Sequence, residues 1–335
     1  MSKPYSIGVD LGGTNLRIAS YVGGVDFLDT ITIPTRLSEG RERVVRDMCE
    51  AIQALAARQQ TTYRLEGIAI GTPGPLELPD GILRNPPNLT GWDGFNLRHA
   101  IESGLGRCVS IESDANLAAL AEHEFGAAKT HVVQSLCVLT MGTGVGSGLI
   151  LNGRIWHGGA GMGGEAGHVV VQDPGGAPCG CGGYGCLEQY ASASAVVRIA
   201  QECLAGEAPR TSHEVALMAL SGHAGAARVF EKVGFALAIG LAGLINTLNL
   251  PLYLLGGGVC EAWDLFAPAM FSELRRRSYI YRLTEPNVLY PQAQLERHKT
   301  YILRAELGGS TGLLGACLLA RQQTTSAGIL VSAYS

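Results

Sequence analysis

Apolar residues fall along this chain in two rhythms, one of strands and one of helices. Residues 5–9 and 18–22 are short apolar runs of strand character. Between them lies Asp10-Leu11-Gly12-Gly13-Thr14-Asn15-Leu16-Arg17, so strand, glycine turn, strand is expected. Residues 25–34 supply a further strand. Over residues 41–59 the period changes: Val44, Val45, Met48, Ile52 and Leu55 share one helix face, with Arg43, Arg46, Asp47 and Glu50 largely elsewhere. Residues 65–71 read as a buried strand running into Gly71-Thr72-Pro73-Gly74-Pro75, a restrained loop at a strand's carboxyl end. Residues 109–112 form another strand, and Ser113-Asp114-Ala115-Asn116 then opens a helix through Phe125, with Asp114 placed to cap it.

The second half repeats the device of the first. A strand over residues 134–141 enters Gly142-Thr143-Gly144-Val145-Gly146-Ser147-Gly148, a strand follows over 149–151, and 154–156 extends the meander. Residues 158–185 are loop-rich. An interrupted helical region covers 190–250. A strand over 251–255 enters Gly256-Gly257-Gly258, a helix spans 265–277, and a last strand is expected at 301–303. Gly308-Gly309-Ser310-Thr311-Gly312 opens a final helix to about Arg321. The shift to small residues near Ser113 places a domain boundary there. Residues 1–113 with 311–322 are expected to form one α/β domain, 114–310 a second, and 323–335 a tail without pattern.

Composition narrows the class. With 335 residues, 47% apolar, 16% charged and 46 glycines, the chain has enough apolar sequence for two cores joined by tight turns. A net charge of −4 and a pI near 6.1 give no general attraction to nucleic acid or acidic membrane. Met1-Ser2-Lys3-Pro4 runs into the first strand with no apolar leader. The most membrane-like stretch, 233–255, is broken by Gly234, Gly240, Gly243, Asn246, Asn249 and Pro251, which suits a buried helix and strand better than a span. Nine cysteines, three of them clustered, suit a reducing compartment with a metal site, so the cytoplasm is expected.

Two glycine turns in equivalent places offer a chemistry that one alone does not. Adjacent glycines let backbone N–H groups approach a bulky anion, and the Thr14 hydroxyl adds a donor. Neither a P-loop nor a dinucleotide fingerprint fits, because no Gly-Lys-Ser/Thr follows and no helix opens after Gly13. A pair of such turns could clamp a polyphosphate, with Asp10 at the strand end placed to hold Mg²⁺ through water. Separately, His168, Cys179, Cys181 and Cys186 make a Cys₃His set in loop-like sequence, with Gly180, Gly182, Gly183 and Gly185 permitting tight wrapping. Thiolate-rich sets of four close a tetrahedral site without an open position, so the expected ion is a structural Zn²⁺. The loop Asn85-Pro86-Pro87-Asn88-Leu89-Thr90-Gly91-Trp92 is polar and restrained, suited to a small polar ligand or to a plain surface connection.

These residues resemble the ROK family of bacterial sugar kinases, most closely its ATP-dependent glucokinases. The resemblance runs from about Ile7 to Ala316, and its most specific part is Gly164-Glu165-Ala166-Gly167-His168, Cys179-Gly180-Cys181 and Gly185-Cys186-Leu187-Glu188. It implies an α/β, two-domain actin-like (ribonuclease-H-type) ATPase fold with an interdomain active-site cleft. It implies that Asp114 is the catalytic base toward a sugar hydroxyl, and that Glu165, His168 and Glu188 bind hydroxyls, with Asn88, Ser113 and the Gly74 backbone beside them. ATP with Mg²⁺ would be held by Asp10, Gly12, Gly13, Thr14 and Asn15 and by Gly142, Thr143, Gly144 and Gly146, with Gly257 and Gly258 flanking the adenosine. The family also places a structural zinc on His168 and the three cysteines, and its members are commonly dimers or tetramers.

One departure bears on the substrate. Family glucokinases usually carry Asn before the catalytic Asp, and here that position is Ser113, a shorter group with a different donor–acceptor pattern. The expected reaction is transfer of the ATP γ-phosphoryl group to the 6-hydroxyl of a hexose, glucose first. Allose, mannose, fructose or an N-acetylated aminosugar are the alternatives. A sugar-sensing ROK regulator is the reading from another class; it needs a helix-turn-helix ahead of the first strand, where only six residues precede Ile7.

Overall fold

The protein is described by a computed structural model covering residues 2–204, 209–291 and 294–326. The expected tail falls mostly outside these residues. Among the described residues the chain divides into two compact units: 1–125 with 155–163 and 310 onward, and 126–154 with 164–309.

In the first unit, β1 (Lys3–Leu11), β2 (Asn15–Tyr21), β3 (Asp29–Pro34), β4 (Tyr63–Thr72) and β7 (Ser110–Ser113) form a sheet ordered β3-β2-β1-β4-β7. A small hairpin, β5 (Leu76–Glu77) with β6 (Ile82–Leu83), follows β4. Three helices come with them: α1 (Arg41–Gln59), α2 (Leu97–Leu105) and α3 (Asp114–Glu124). In the core, Ile7, Val9 and Ile18 from the sheet pack with Met48, Ile52 and Leu55 of α1 and Ile101 of α2. The helix expected over 41–59 is present with those bounds, but Asp47 is buried rather than solvated. Its carboxylate is matched by Arg43 Nε at 2.9 Å and Arg36 Nε at 3.8 Å, which offsets the cost of desolvation.

The second unit holds α4 (Ala127–Thr130) and a sheet of β8 (Leu136–Met141), β9 (Val145–Leu151), β10 (Arg154–Ile155), β11 (Leu252–Gly256) and β12 (Tyr301–Arg304). Its order, β10-β9-β8-β11-β12, matches that of the first sheet position for position. In each, an antiparallel hairpin leads and two parallel strands follow. The duplication read from the two glycine turns is therefore a duplication of the whole sheet. Helices α5 (Glu188–Ala191), α6 (Ala193–Cys203), α7 (Ser212–Leu220), α8 (Ala224–Leu248), α9 (Trp263–Arg277) and α10 (Tyr279–Thr284) complete the unit. Among the described helices α8 alone is long and apolar enough to cross a membrane, yet Phe230, Val233, Leu237, Leu241 and Ile245 bury its apolar face in the core.

Two boundaries differ from expectation. The strand expected at 149–151 begins at Val145, because Gly146 and Gly148 pair through their backbones with Thr140 and Val138. The glycine turn proper is only residues 142–144. And α3, expected to open the second domain after Ser113, sits in the first unit, where α11 (Thr311–Ser326) packs against α3, β1 and β4. That packing needs small residues. A Cβ on Gly315 would overlap the carbonyl of Leu117, and one on Gly67 that of Ala320. Gly315→Ala should therefore destabilise the protein by about 1–3 kcal/mol, because backbone overlap outweighs the gain in helix propensity of about 1 kcal/mol. A fall in the urea midpoint would register it; an unchanged or higher midpoint would refute close packing at this seam.

Candidate active site and metal centre

Parallel pairing brings three strand ends to one edge of the first sheet. Asp10 lies in register with Gly71, and Gly71 with Glu112. The 12–15 turn, the Gly74 loop and Ser113-Asp114 follow directly from these three strands. Gly12 N–H donates to the Asn15 carbonyl (3.1 Å), while Thr35 donates through its hydroxyl to the Gly12 carbonyl (2.7 Å) and through its N–H to that of Thr14 (2.8 Å). The turn is fixed at its base and open at its tip. Gly13, Thr14 and Asn15 are exposed, and a Cβ at Gly13 would meet no atom within 4 Å, leaving room for a bulky anion.

Asp10 is paired with a basic side chain from β2. Its Oδ2 accepts from both Arg17 Nε (3.0 Å) and Nη2 (2.5 Å), two bonds to one oxygen across the hairpin. A Cβ placed on Gly312, at the start of α11, would lie 3.9 Å from Asp10 Oδ1 and 3.7 Å from the Asp114 carbonyl. Asp10 and Asp114 thus flank the same helix start.

Asp114 is the first residue of α3 and not its cap; the capping position belongs to Ser113, whose side chain makes no capping bond. Asp114 is half-buried, and its Oδ1 accepts from Ala115 N–H at 2.7 Å. The helix N-terminus favours its ionised form. Two residues before it, in β7, Glu112 is buried. Its Oε1 accepts from Ser113 N–H (2.9 Å) and Asn116 Nδ2 (3.0 Å), and its Oε2 meets His157 Nε2 at 2.7 Å. That bond to Glu112 raises the His157 pKa above its ordinary value, against the opposing effect of burial. Asn88 is exposed on its loop, which is braced where Asp93 Oδ1 accepts from Asn85 N–H at 2.7 Å.

In the second unit, the turns after the parallel strands β8 and β11 adjoin. A Cβ on Gly257 would collide with the Met141 backbone, so glycine there is required by packing, while Gly142 and Gly258 face open space. The 142–144 turn is held from behind: Ala193 N–H donates to the Gly142 carbonyl (2.8 Å) and Ser194 Oγ to that of Thr143 (2.8 Å). Glu188 Oε2 accepts from Val145 N–H at 3.0 Å, and its Oε1 lies 3.8 Å from Cys179 Sγ. One carboxylate therefore joins the glycine turn to the cysteine loop.

That loop brings together all four residues expected to bind metal. The ligand atoms of His168, Cys179, Cys181 and Cys186 lie within 4.8 Å of one another. Cys179 Sγ is 3.6 Å from His168 Nδ1, and Cys181 Sγ is 3.7 Å from Cys186 Sγ. Bonds of about 2.0–2.3 Å set ligand atoms roughly 3.4–3.8 Å apart in a tetrahedral N/S site, so this set fits such an ion. The wrapping is made by backbone: Cys179 N–H to the Gly183 carbonyl (2.8 Å), Gly182 N–H back to that of Cys179 (3.0 Å), and Gly183 N–H to Cys181 Sγ (3.4 Å). Gly182 and Gly185 have φ of 93° and 71°, values that other residues take only under strain. With Nδ1 toward the thiols, His168 turns Nε2 toward Glu165, whose Oε2 lies 4.0 Å away. Burial raises the Glu165 pKa; Glu188 adds to the rise and His168 opposes it.

Known proteins resemble this chain over nearly its whole length. The glucokinase of Halalkalibacterium halodurans is 32% identical over 97% of this chain and 98% of its own length. The structure of a ROK hexokinase from Thermus thermophilus matches with a TM-score of 0.77 at 34% identity, covering 96% of this chain and 99% of that one. A ROK family glucokinase from Streptomyces griseus, solved with glucose and AMPPNP, matches with a TM-score of 0.74 at 30% identity, over 95% of this chain and 99% of that one. Relatives also include the xylose repressor of Bacillus subtilis, 30% identical over 82% of this chain and 70% of the repressor. The two units with their repeated sheets carry the two-domain actin-like fold of these kinases. The pattern that defines the ROK family matches residues 6–323, nearly the whole chain, and the chain belongs to that family.

Proposed function

We propose that this protein is an ATP-dependent hexose kinase that transfers the γ-phosphoryl group to a sugar 6-hydroxyl, with glucose as the preferred sugar. The observation that carries this reading is the placement of Asp114, a half-buried carboxylate at a helix start on the same strand edge as the open 12–15 turn. Phosphoryl transfer passes through a loose transition state, so catalysis is mainly positioning and charge stabilisation. Backbone N–H groups of the two glycine turns hold the phosphates of MgATP. Asp114 accepts the proton of the attacking hydroxyl, for which it needs reach and ionisation more than strong basicity.

Glu165, His168 and Glu188 bind sugar hydroxyls, with Asn88, Ser113 and the Gly74 backbone as further contacts. The Cys₃His set holds a structural Zn²⁺ that braces the loop bearing these groups. Thiolates kept reduced for that role suit the cytoplasm. The complex of the Streptomyces griseus relative with glucose and AMPPNP supports both substrates. Ser113 leaves mannose, allose, fructose and N-acetylated aminosugars as competitors.

Coupled ADP release from purified protein with Mg²⁺ and ATP, measured across a panel of these sugars, tests the reading. The highest kcat/KM is expected for glucose. Absence of ADP release with every sugar would overturn it, and sequence-specific retention of DNA in a gel shift would favour a regulator. Light scattering reads the assembly, a dimer or tetramer by the family resemblance.

A further inference from the structure

Glu112 is enclosed, with 5% of its side chain exposed, and a buried carboxylate is tolerated only where partners offset its lost hydration. Two of its partners flank Asp114 in the chain, and the third comes from a distant segment. One oxygen accepts from the N–H of Ser113, the residue before the base, and from the amide of Asn116, two residues after it. The other meets His157, which lies 45 residues further along and reaches this place on the 155–163 segment that packs into the first unit. Ser113 occupies the capping position of α3 without capping through its side chain, so the turn from β7 into α3 is held by Glu112 instead. The ladder from Gly71 fixes Glu112 from its other side.

We propose that Glu112 is a positioning residue for Asp114: its carboxylate, anchored by His157, sets the path of the first turn of α3 and thereby the aim of the base. This rests on the reading of Asp114 as the base. A side chain that only stabilised the fold would alter unfolding without a selective effect on the chemical step. A positioning residue acts on kcat and acts through the group it positions.

The test is a double-mutant cycle of Glu112→Ala with Asp114→Asn in the full-length protein, with Glu112→Gln as the conservative variant. Glu112→Ala is expected to lower kcat by about 10- to 100-fold, the scale of a base displaced by about 1 Å, while KM for sugar and ATP moves by less than about threefold. Glu112→Gln keeps a carbonyl acceptor for Ser113 and Asn116 and should recover most of that loss. In the Asp114→Asn background, Glu112→Ala should cause no further fall in the residual rate.

An unchanged kcat in Glu112→Ala, or the same fold-loss with and without Asp114, overturns the proposal, as does a Glu112→Gln variant no better than alanine. Should Glu112→Ala fail to fold, Asn116→Ala carries the same cycle. Full activity of Asp114→Asn sinks the base assignment and this inference together. Loss in Asp114→Asn with full activity in Glu112→Ala sinks the inference alone.

Discussion

Asp114→Asn is expected to lower kcat by about 10²- to 10⁴-fold, the range that general-base catalysis contributes, with the fold and substrate affinities retained. The carboxamide is nearly isosteric, and its oxygen can still accept the Ala115 N–H that Asp114 Oδ1 accepts at 2.7 Å, so α3 should start at the same residue. What it lacks is the ability to take a proton from a sugar hydroxyl. The loss should therefore fall on kcat and kcat/KM alike, the sign of an interaction made only in the transition state. Steady-state ADP release at saturating sugar and ATP, beside circular dichroism and a melting curve, reads both halves. Normal turnover in this variant would remove Asp114 from the mechanism.

Loss of the proposed Zn²⁺ should be the second large effect. Cys186 is buried, at 2% exposure, and Cys186→Ser replaces a thiolate with a poor ligand inside the Cys₃His set. A metal bound by the folded state alone stabilises it by mass action, so its removal should lower thermal stability and release the loop over residues 164–187. Three proposed sugar contacts depend on that loop. Glu165 precedes the ligand His168 by three residues, His168 is itself a ligand, and Glu188 follows Cys186 and holds the Val145 N–H.

Sugar kcat/KM should fall by at least about 10-fold to 100-fold, the scale seen when metal surroundings are disturbed. One zinc per chain in the native protein, and amide exchange rising across 164–187 after chelation, are the accompanying observations. Active, fully stable protein with far less than one metal per chain would refute the structural role.

Local pattern accounts for much of what was readable from residues alone. The helix at 41–59 declares itself through Val44, Met48, Ile52 and Leu55, and the Cys₃His cluster through close spacing among glycines. Other features were readable but unassigned. Asn96 caps α2, accepting from His99 N–H at 2.8 Å, and Gly106 closes it with φ of 64°; this start and stop pair marks residues 97–105 as a helix. The start of β9 was masked by glycines that weaken strand propensity but leave the ladder bonds intact. Asp47 ran against its residue type, because whether a charge on a helix can be buried depends on which arginines fold over it.

The sequence by itself determined the first glycine turn, the clustering of His168, Cys179, Cys181 and Cys186 and the carboxylate after β7. Each is set by residues within one turn or one loop, where spacing controls geometry directly. Only the tertiary structure decided that the two sheets share one strand order, and that α3 belongs with β1 and α11. The same holds for Arg17 binding Asp10 and for His157, from a distant segment, closing on the Glu112 that underlies Asp114. Such pairings depend on strand register and on where separate segments come to rest. Those are outcomes of packing whole elements together, and hydrophobic periodicity along the chain carries no record of them.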